Sequence, residues 1–182
     1  MRKKIAPVDI KHYDLIRQNV EKFITYCASK YDRIDAIILE IAPQVHQDAG
    51  HYFKKSQIST LDIDPSSSPT FVADLCEDNS SIIASNTFDY VVCTEVIEHT
   101  LNPFLAVQEI YRIMKKGGKA FISVPFNFRI HGPLPDCWRI SEHGLNSLFN
   151  PKVGFKVLSL NALETEKRFL MPIHYTLIVE KI

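Results

Sequence analysis

Residues 88–125 read FDYVVCTEVIEHTLNPFLAVQEIYRIMKKGGKAFISVP, and the order of element types inside them decides the fold. Phe88 to Thr94 is an apolar run rich in β-branched and aromatic residues without polar alternation. That is the pattern of a parallel strand covered on both faces. Asn102 suits the cap of the next helix, and Pro103 suits its first turn, where a missing N–H costs nothing. Val107, Ile110, Tyr111 and Met114 share one helical stripe, which predicts a core-facing side. Lys115 and Lys116 stand where the helix dipole favours cations, and Gly117-Gly118 ends the helix. Ala120 to Val124 is the next buried strand. Strand, helix and strand of this length make a right-handed βαβ unit.

The loop between the strand and the helix carries Glu95, Glu98 and His99. It lies at the carboxyl end of a parallel strand, where open α/β sheets bind ligands. Isolated acids there are often solvated charges, but three ionisable groups in so short a loop favour a site.

The rest of the chain bounds the answer. Its 182 residues suffice for one domain, and 46% are hydrophobic, so a core forms without staples. Lys plus Arg and Asp plus Glu each number 21, a neutral balance that argues against a broad nucleic-acid footprint. Cys27, Cys76, Cys93 and Cys137 are scattered without CxxC spacing, as expected of reduced thiols in a cytoplasmic protein. The basic start, Met1-Arg2-Lys3-Lys4, is followed by no signal-peptide core, and no apolar run approaches about 18 residues. A cytoplasmic protein with no membrane segment is expected.

Taken in order, residues 1–34 form an N-terminal helical segment, with a helix over 9–31, and residues 35–182 form the main domain; together they make a single domain. Asp35 to Ala42 is the first strand, and a short helical segment follows near His46 to Lys55. Ile58 to Ile63 and Phe71 to Ala73 are the next strands, and Asn79 to Ser85 is a short helix or a turn. After the βαβ unit, Phe126 to Ile140 is irregular because Gly132, Pro133 and Pro135 forbid regular structure. Ser141 caps a helix through about Phe149, and strands follow at Gly154–Leu160 and His174–Val179. About a dozen residues separate those two strands and no crossover helix joins them, so the last strand returns antiparallel. The expected fold is α/β: a seven-stranded, mainly parallel sheet with an antiparallel last strand and helices on both faces.

Acids recur at successive strand ends: Glu40, Asp62 with Asp64, Asp74 and Glu95. In a doubly wound sheet these ends line one crevice, and carboxylates there accept hydrogen bonds from ribose hydroxyls or amines. With its FDxVxxxEVxEH stretch and the KxGG-strand that follows, the chain resembles the class I S-adenosylmethionine-dependent methyltransferases, in their small-molecule branch. The resemblance covers roughly residues 35–150 and implies a Rossmann-like fold with S-adenosylmethionine as cofactor. It implies that Glu40 and Ala42 belong to the first cofactor loop and that Asp62 takes the ribose hydroxyls. By the same resemblance Asp74 and Leu75 meet the adenine, and Thr94 and Glu95 pass beneath the methionine portion. One departure stands out: the family's first loop is acid-x-Gly-x-Gly, whereas residues 40–46 read EIAPQVH, with Ala42 and Gln44 at the glycine positions. Glycine there lets the backbone adopt positive φ and approach the cofactor.

Residues 123–144, SVPFNFRIHGPLPDCWRISEHG, are similar to a Pro-Phe…His-Gly-x-Pro-x-Asp-x-x-Arg stretch of methyltransferases that modify sugars or secondary metabolites. As the loop after the fifth strand it overhangs the crevice and brings Arg129, His131, Asp136, Trp138, Arg139 and His143. His131 or His143 is the expected general base, Trp138 a wall of the pocket, and His99, Arg129, Asp136 and Arg139 the remaining substrate contacts. The alternative makes Asp136 and Arg139 a structural ion pair with Trp138 capping the core. Glu95, Glu98 and His99 also resemble the ExxEH stretch with which ubiquinone-pathway O-methyltransferases can hold a divalent cation. The same spacing is common in relatives without a metal, and no metal is the expectation taken.

The function expected is methyl transfer from S-adenosylmethionine to a hydroxyl or amine of a small molecule such as a sugar or secondary metabolite. The alternative is a non-catalytic relative serving as a binding or scaffold subunit, which the altered first loop favours. A nicotinamide oxidoreductase lacks its GxGxxG turn here. A nucleic-acid amino-methyltransferase needs an Asn/Asp-Pro-Pro-aromatic stretch where this chain has Thr94-Glu95-Val96-Ile97. The short N-terminal helix leaves the crevice with little lid of its own, so a second subunit, a protein partner or a large substrate is expected to cover it.

Overall fold

The computed structural model describes residues 5–43, 48–165 and 170–182. Seven strands form one sheet: β1 (Ile37–Ile41), β2 (Gln57–Asp62), β3 (Phe71–Val72), β4 (Phe88–Thr94), β5 (Met114–Pro125), β6 (Phe155–Leu163) and β7 (His174–Lys181). Their order is β3-β2-β1-β4-β5-β7-β6. The pairings among β1 to β5 are parallel, whereas β7 is antiparallel to both β5 and β6. Because β7 slots between β5 and β6, one reversed strand suffices, and the strand order turns back between β1 and β4. That reversal opens the crevice at the carboxyl edge.

Strand periodicity builds two cores. Leu39, Val91, Cys93, Ile122 and Leu177 face one side, where they pack with Val107 and Ile110 of α3 (Pro103–Ile113) and Leu145 and Leu148 of α4 (Glu142–Leu148). Their neighbours in sequence, Ile38, Val92, Phe121 and Ile178, face the other side. There they meet Ile16, Val20 and Ile24 of α1 (Pro7–Tyr31) and Ala49 of α2 (Ala49–Tyr52). Burial on both faces explains why these strands read as continuous apolar runs. Each fully buried Ile, Leu or Phe contributes about 1.5–3 kcal/mol of transfer free energy. Cys27 and Cys93 lie inside these cores, where burial pushes both thiols up, and the cysteines are free.

The caps behave as the sequence dictates. The Asn102 side chain accepts from the N–H groups of Phe104 and Leu105, and Ser141 Oγ accepts from Gly144 N. The segment 126–140 is irregular, and Asn79 to Ser85 is a run of turns.

The segment after α3 differs from expectation. The helix stops at Ile113, and Met114 already pairs with Phe88 as the first residue of β5. Lys115 and Lys116 are therefore strand residues rather than a helical last turn. Lys115 Nζ reaches Asp89 Oδ2 at 2.8 Å, an attraction that competes with the helix dipole for the same cation. Gly117 (φ 76°) and Gly118 form an irregularity in β5, where the register with β4 shifts between Phe88 and Tyr90. A β-carbon on Gly118 would stand 2.9 Å from Asp89 O, so the glycine serves strand contact and not a helix stop. Element bounds differ elsewhere too: α2 is a single turn, and β6 and β7 run on to Leu163 and Lys181.

Candidate active site

The carboxyl ends of β1, β2, β3 and β4 carry the acids that the sequence lines up. Glu40, near the end of β1, is buried, and its Oε2 accepts from Ala49 N at 2.8 Å. It therefore ties the start of α2 to the sheet. Ala42 follows with φ 51°, so an alanine takes the left-handed turn that glycine normally provides, with its side chain exposed. Gln44, at the second glycine position, lies outside the described residues.

Burial pushes the Glu40 carboxyl up to about 7, the Ala49 N–H opposing the rise and the Asp48 charge adding to it. The folded value lies above the ordinary 4.5. The contribution is thus intact below about pH 4.5 and is lost as pH rises through about 7, amounting to about 3 kcal/mol. The wild-type protein is expected to lose urea resistance between pH 5 and pH 8, and Glu40→Gln to remove most of that slope. Identical pH slopes in the two proteins would show that Glu40 is not the titrating group.

Asp62 ends β2 with only 2% of its surface exposed, and its Oδ1 accepts from Asp64 N at 2.8 Å. Asp64 is exposed and caps the 3-10 turn Pro65–Ser67 through Ser66 N. Asp74 follows β3, its Oδ1 accepting from Cys76 N, while Leu75 is buried in the core. Thus Asp62 and Asp74 both shape their own turns while standing at the crevice.

Thr94 ends β4, and Glu95 follows with φ 56°. Glu95 Oε1 accepts from Ser123 Oγ at 2.8 Å and from His174 Nε2 at 2.7 Å. Asn19 of α1 donates its amide to the other nitrogen of His174, at 2.8 Å, which leaves Nε2 as the donor to Glu95. Burial would raise the Glu95 carboxyl, but the charge and hydrogen bond of His174 outweigh it and hold it below the usual range.

A second cluster lies where the 3-10 turn Ile97–His99 meets the 126–140 loop. The N–H groups of Cys137 and Trp138 both donate to Glu98 O, and the Trp138 indole N–H donates to Thr100 O at 2.8 Å. His99 Nδ1 stands 2.9 Å from Pro135 O. These bonds bring His99, His131, Asp136, Trp138 and Arg139 together. Asp136 accepts from Arg139 through both oxygens, from Nη2 at 2.7 Å, and from His131 N at 2.9 Å. Burial alone would raise the Asp136 carboxyl, but the Arg139 and His131 hydrogen bonds bring it down to about 2. The His131 ring is pushed below its ordinary value, chiefly by burial. Glu98 has no exposed surface, and burial followed by the Glu95 charge raises its carboxyl well above the normal range.

Two expected residues stand apart. The His143 side chain is 89% exposed and lies 3.5 Å from Glu142, outside the cluster. Arg129 points to Asp9 of α1, at 3.7 Å. Three groups were missed: His174, Asn19 and Ser123. The only local signal was a histidine opening an apolar strand; its partnership with Glu95 spans 79 residues and follows from the pairing of β7 with β5.

A family described as "Methyltransferase domain" matches residues 11–160. No curated protein matches the chain. Among solved structures, a SAM-dependent methyltransferase from Methanosarcina mazei is similar at TM-score 0.65 and 15% identity, over 85% of this chain and 96% of that one. The Burkholderia thailandensis 1,6-didemethyltoxoflavin-N1-methyltransferase, described with 1,6-didemethyltoxoflavin and S-adenosylhomocysteine bound, gives TM-score 0.62 and 11% identity, over 100% and 93%. SpnF, described as a [4+2]-cyclase, gives 0.61 and 14%, over 87% and 79%. At these identities the likenesses concern the fold. The family match covers most of the chain, which therefore belongs to the class I S-adenosylmethionine-dependent methyltransferases. Among the described residues no helix is long and apolar enough to cross a membrane.

Proposed function

We propose that the protein moves a methyl group from S-adenosylmethionine to a hydroxyl or amine of a small molecule, with a sugar or secondary metabolite as the acceptor. The observation that carries this reading is the row of strand-end acids together with a polar loop that bonds to the Ile97–His99 turn just beyond β4. The residues present fit the cofactor. Ala42 holds the turn of the first loop despite its β-carbon, and Asp62 stands at the end of β2 with its Oδ1 ordered by Asp64 N. Asp62 would take the ribose hydroxyls, Asp74 and Leu75 the adenine, and Thr94 and Glu95 the methionine portion, with Glu40 holding the loop. When bound, the sulfonium supplies an electrophilic methyl carbon.

The chain's own task is alignment, and holding an acceptor in line is the larger part of the acceleration. His131 is the side chain placed to accept the acceptor's proton, because Asp136 fixes its backbone and faces its Nδ1 at 3.0 Å. His99, Arg139 and Trp138 line the same loop. Leu101, Phe104, Ile130 and Leu134 are exposed on these segments, and an acceptor's apolar body or a second chain would cover them.

Calorimetric titration with S-adenosylmethionine and S-adenosylhomocysteine tests the reading. Micromolar binding is expected, weakened at least about 30-fold in Asp62→Ala, a loss of about 2 kcal/mol for hydrogen bonds to a charged group. No heat from folded wild-type protein would overturn it in favour of a non-catalytic binding subunit, the reading that the EIAPQVH sequence favours.

A further inference from the structure

We infer that Glu98, His99 and His131 form a site for one divalent first-row transition cation of the zinc type. The inference does not depend on methyl transfer, because it rests on what these three side chains lack. Glu98 has no exposed surface, yet neither of its carboxylate oxygens has a hydrogen-bond partner among the described residues. A buried carboxylate left in that state costs several kcal/mol, so the site calls for a proton or a cation.

The geometry points to a cation. Glu98 Oε1 lies 3.7 Å from His99 Nε2 and 3.8 Å from His131 Nε2, too far for hydrogen bonds. Two ligands at about 2.0–2.2 Å from a tetrahedral centre stand about 3.4 Å apart, so these gaps close by a few tenths of an ångström. One donor atom from each of the three residues lies within 4.8 Å of the others, so the three donors converge on one region.

The surroundings of the rings agree. His99 Nδ1 is held by Pro135 O, and His131 Nδ1 faces Asp136 Oδ2. The His99 ring is thus anchored through Nδ1, the His131 ring lies beside a carboxylate without a hydrogen bond to it, and the Nε2 atoms of both face Glu98 Oε1. The Pro135 carbonyl on His99 is the kind of outer group that orients a metal-binding imidazole. The two rings meet edge-on at 4.8 Å between centroids. The bonds from Cys137 and Trp138 to Glu98 O hold the two contributing loops in register.

The donor set chooses the class of ion. Two imidazoles and one carboxylate suit zinc, cobalt or iron(II), whereas magnesium and calcium prefer all-oxygen shells. The set also differs from the contiguous Glu95, Glu98 and His99 triad. Glu95 is held by His174 and Ser123, and His131 arrives from a loop after another strand. Three protein ligands leave an open position, as catalytic metal sites do. With a cation bound, the His131 lone pair is committed, and His131 then acts by holding the ion rather than by accepting a proton.

The test uses the full chain stripped with EDTA and titrated with Co2+, followed by visible absorption. We expect d–d bands saturating at one ion per chain and bleached by added Zn2+. Glu98→Gln, which keeps the shape, and His131→Ala should each weaken Co2+ binding at least about 100-fold, as loss of a ligand implies. His51→Ala, on α2, should leave it unchanged. Thermal unfolding of each variant separates lost ligands from lost fold. No saturable Co2+ signal, or one unaltered in folded Glu98→Gln protein, overturns the site; Mg2+ displacing Co2+ at equal concentration overturns the class of ion. None of these outcomes bears on the S-adenosylmethionine titration, so the two readings fail separately.

Discussion

Gly154→Ala is expected to destabilise the protein by about 3–5 kcal/mol, the sum of a strained backbone and an overfilled contact. Gly154 has φ 104°, a conformation that side chains disfavour, and it opens into β6. An added β-carbon would press into the Tyr111 ring, with Cζ at 2.7 Å and the hydroxyl at 2.9 Å. The ring cannot easily retreat. It packs edge-on against Phe155 at 5.5 Å, and Lys181 Nζ sits 4.2 Å from its centre. That ammonium is itself fixed by Tyr111 O, Met114 O and Asn86 Oδ1. Urea unfolding of the variant should show a midpoint lowered in proportion, with an unchanged slope. A shift under about 1 kcal/mol would mean that Tyr111 moves freely, and the account of this corner would fail.

The second large effect is expected at Asp136. Its carboxylate has no exposed side-chain surface, and it holds Arg139 and the His131 backbone at once. Arg139 in turn donates to Phe128 O and Arg129 O, so one carboxylate closes the loop on itself. Asp136→Ala removes charge-assisted bonds and leaves the guanidinium and an N–H to find water. Because Arg139 is partly exposed, we expect the smaller end of such losses, about 2–3 kcal/mol. Cleavage tracks the opened fraction of a segment, and 2 kcal/mol raises that fraction about 30-fold. Trypsin cleavage after Arg129 should accelerate to that degree, while global unfolding by urea shifts less. A wild-type cleavage rate would show that the loop is held from elsewhere.

The sequence carried the central architecture because both layers of helix bury apolar residues on a strict period. The run from Phe88 to Thr94 could only be a doubly covered strand, and the strands and helices that surround it followed. The Lys115–Gly118 stretch misled for a physical reason. A glycine pair after a helix serves equally as a helix stop or as an irregularity in a strand, and the Asp89 carboxylate across the sheet decided between them. At the site, each loop's chemistry was legible, but its pairings were not. The distinction between Glu95 and Glu98 is invisible in a five-residue window. It depends on His174 reaching one of them and on His131 approaching the other, contacts set by sheet order and by the fold of a proline-rich loop. His143 shows the converse: proximity in sequence to that loop placed it in the list of bases, and the first turn of α4 carries it away.

The hydrogen-bonded chain from Asn19 through His174 to Glu95 joins residues 155 and 79 positions apart, so it makes the crevice a product of the whole polypeptide. During synthesis, a nascent chain that has emerged only through β5 can already lay down the parallel half of the sheet. Until residues 174–181 arrive, however, β5 presents an open edge, and Glu95 lacks the imidazole N–H that donates to it. An unpaired, buried-type strand is the species most exposed to aggregation on the ribosome. Insertion of β7 therefore does two things at once: it seals the edge of β5 and completes the polar wiring of the crevice.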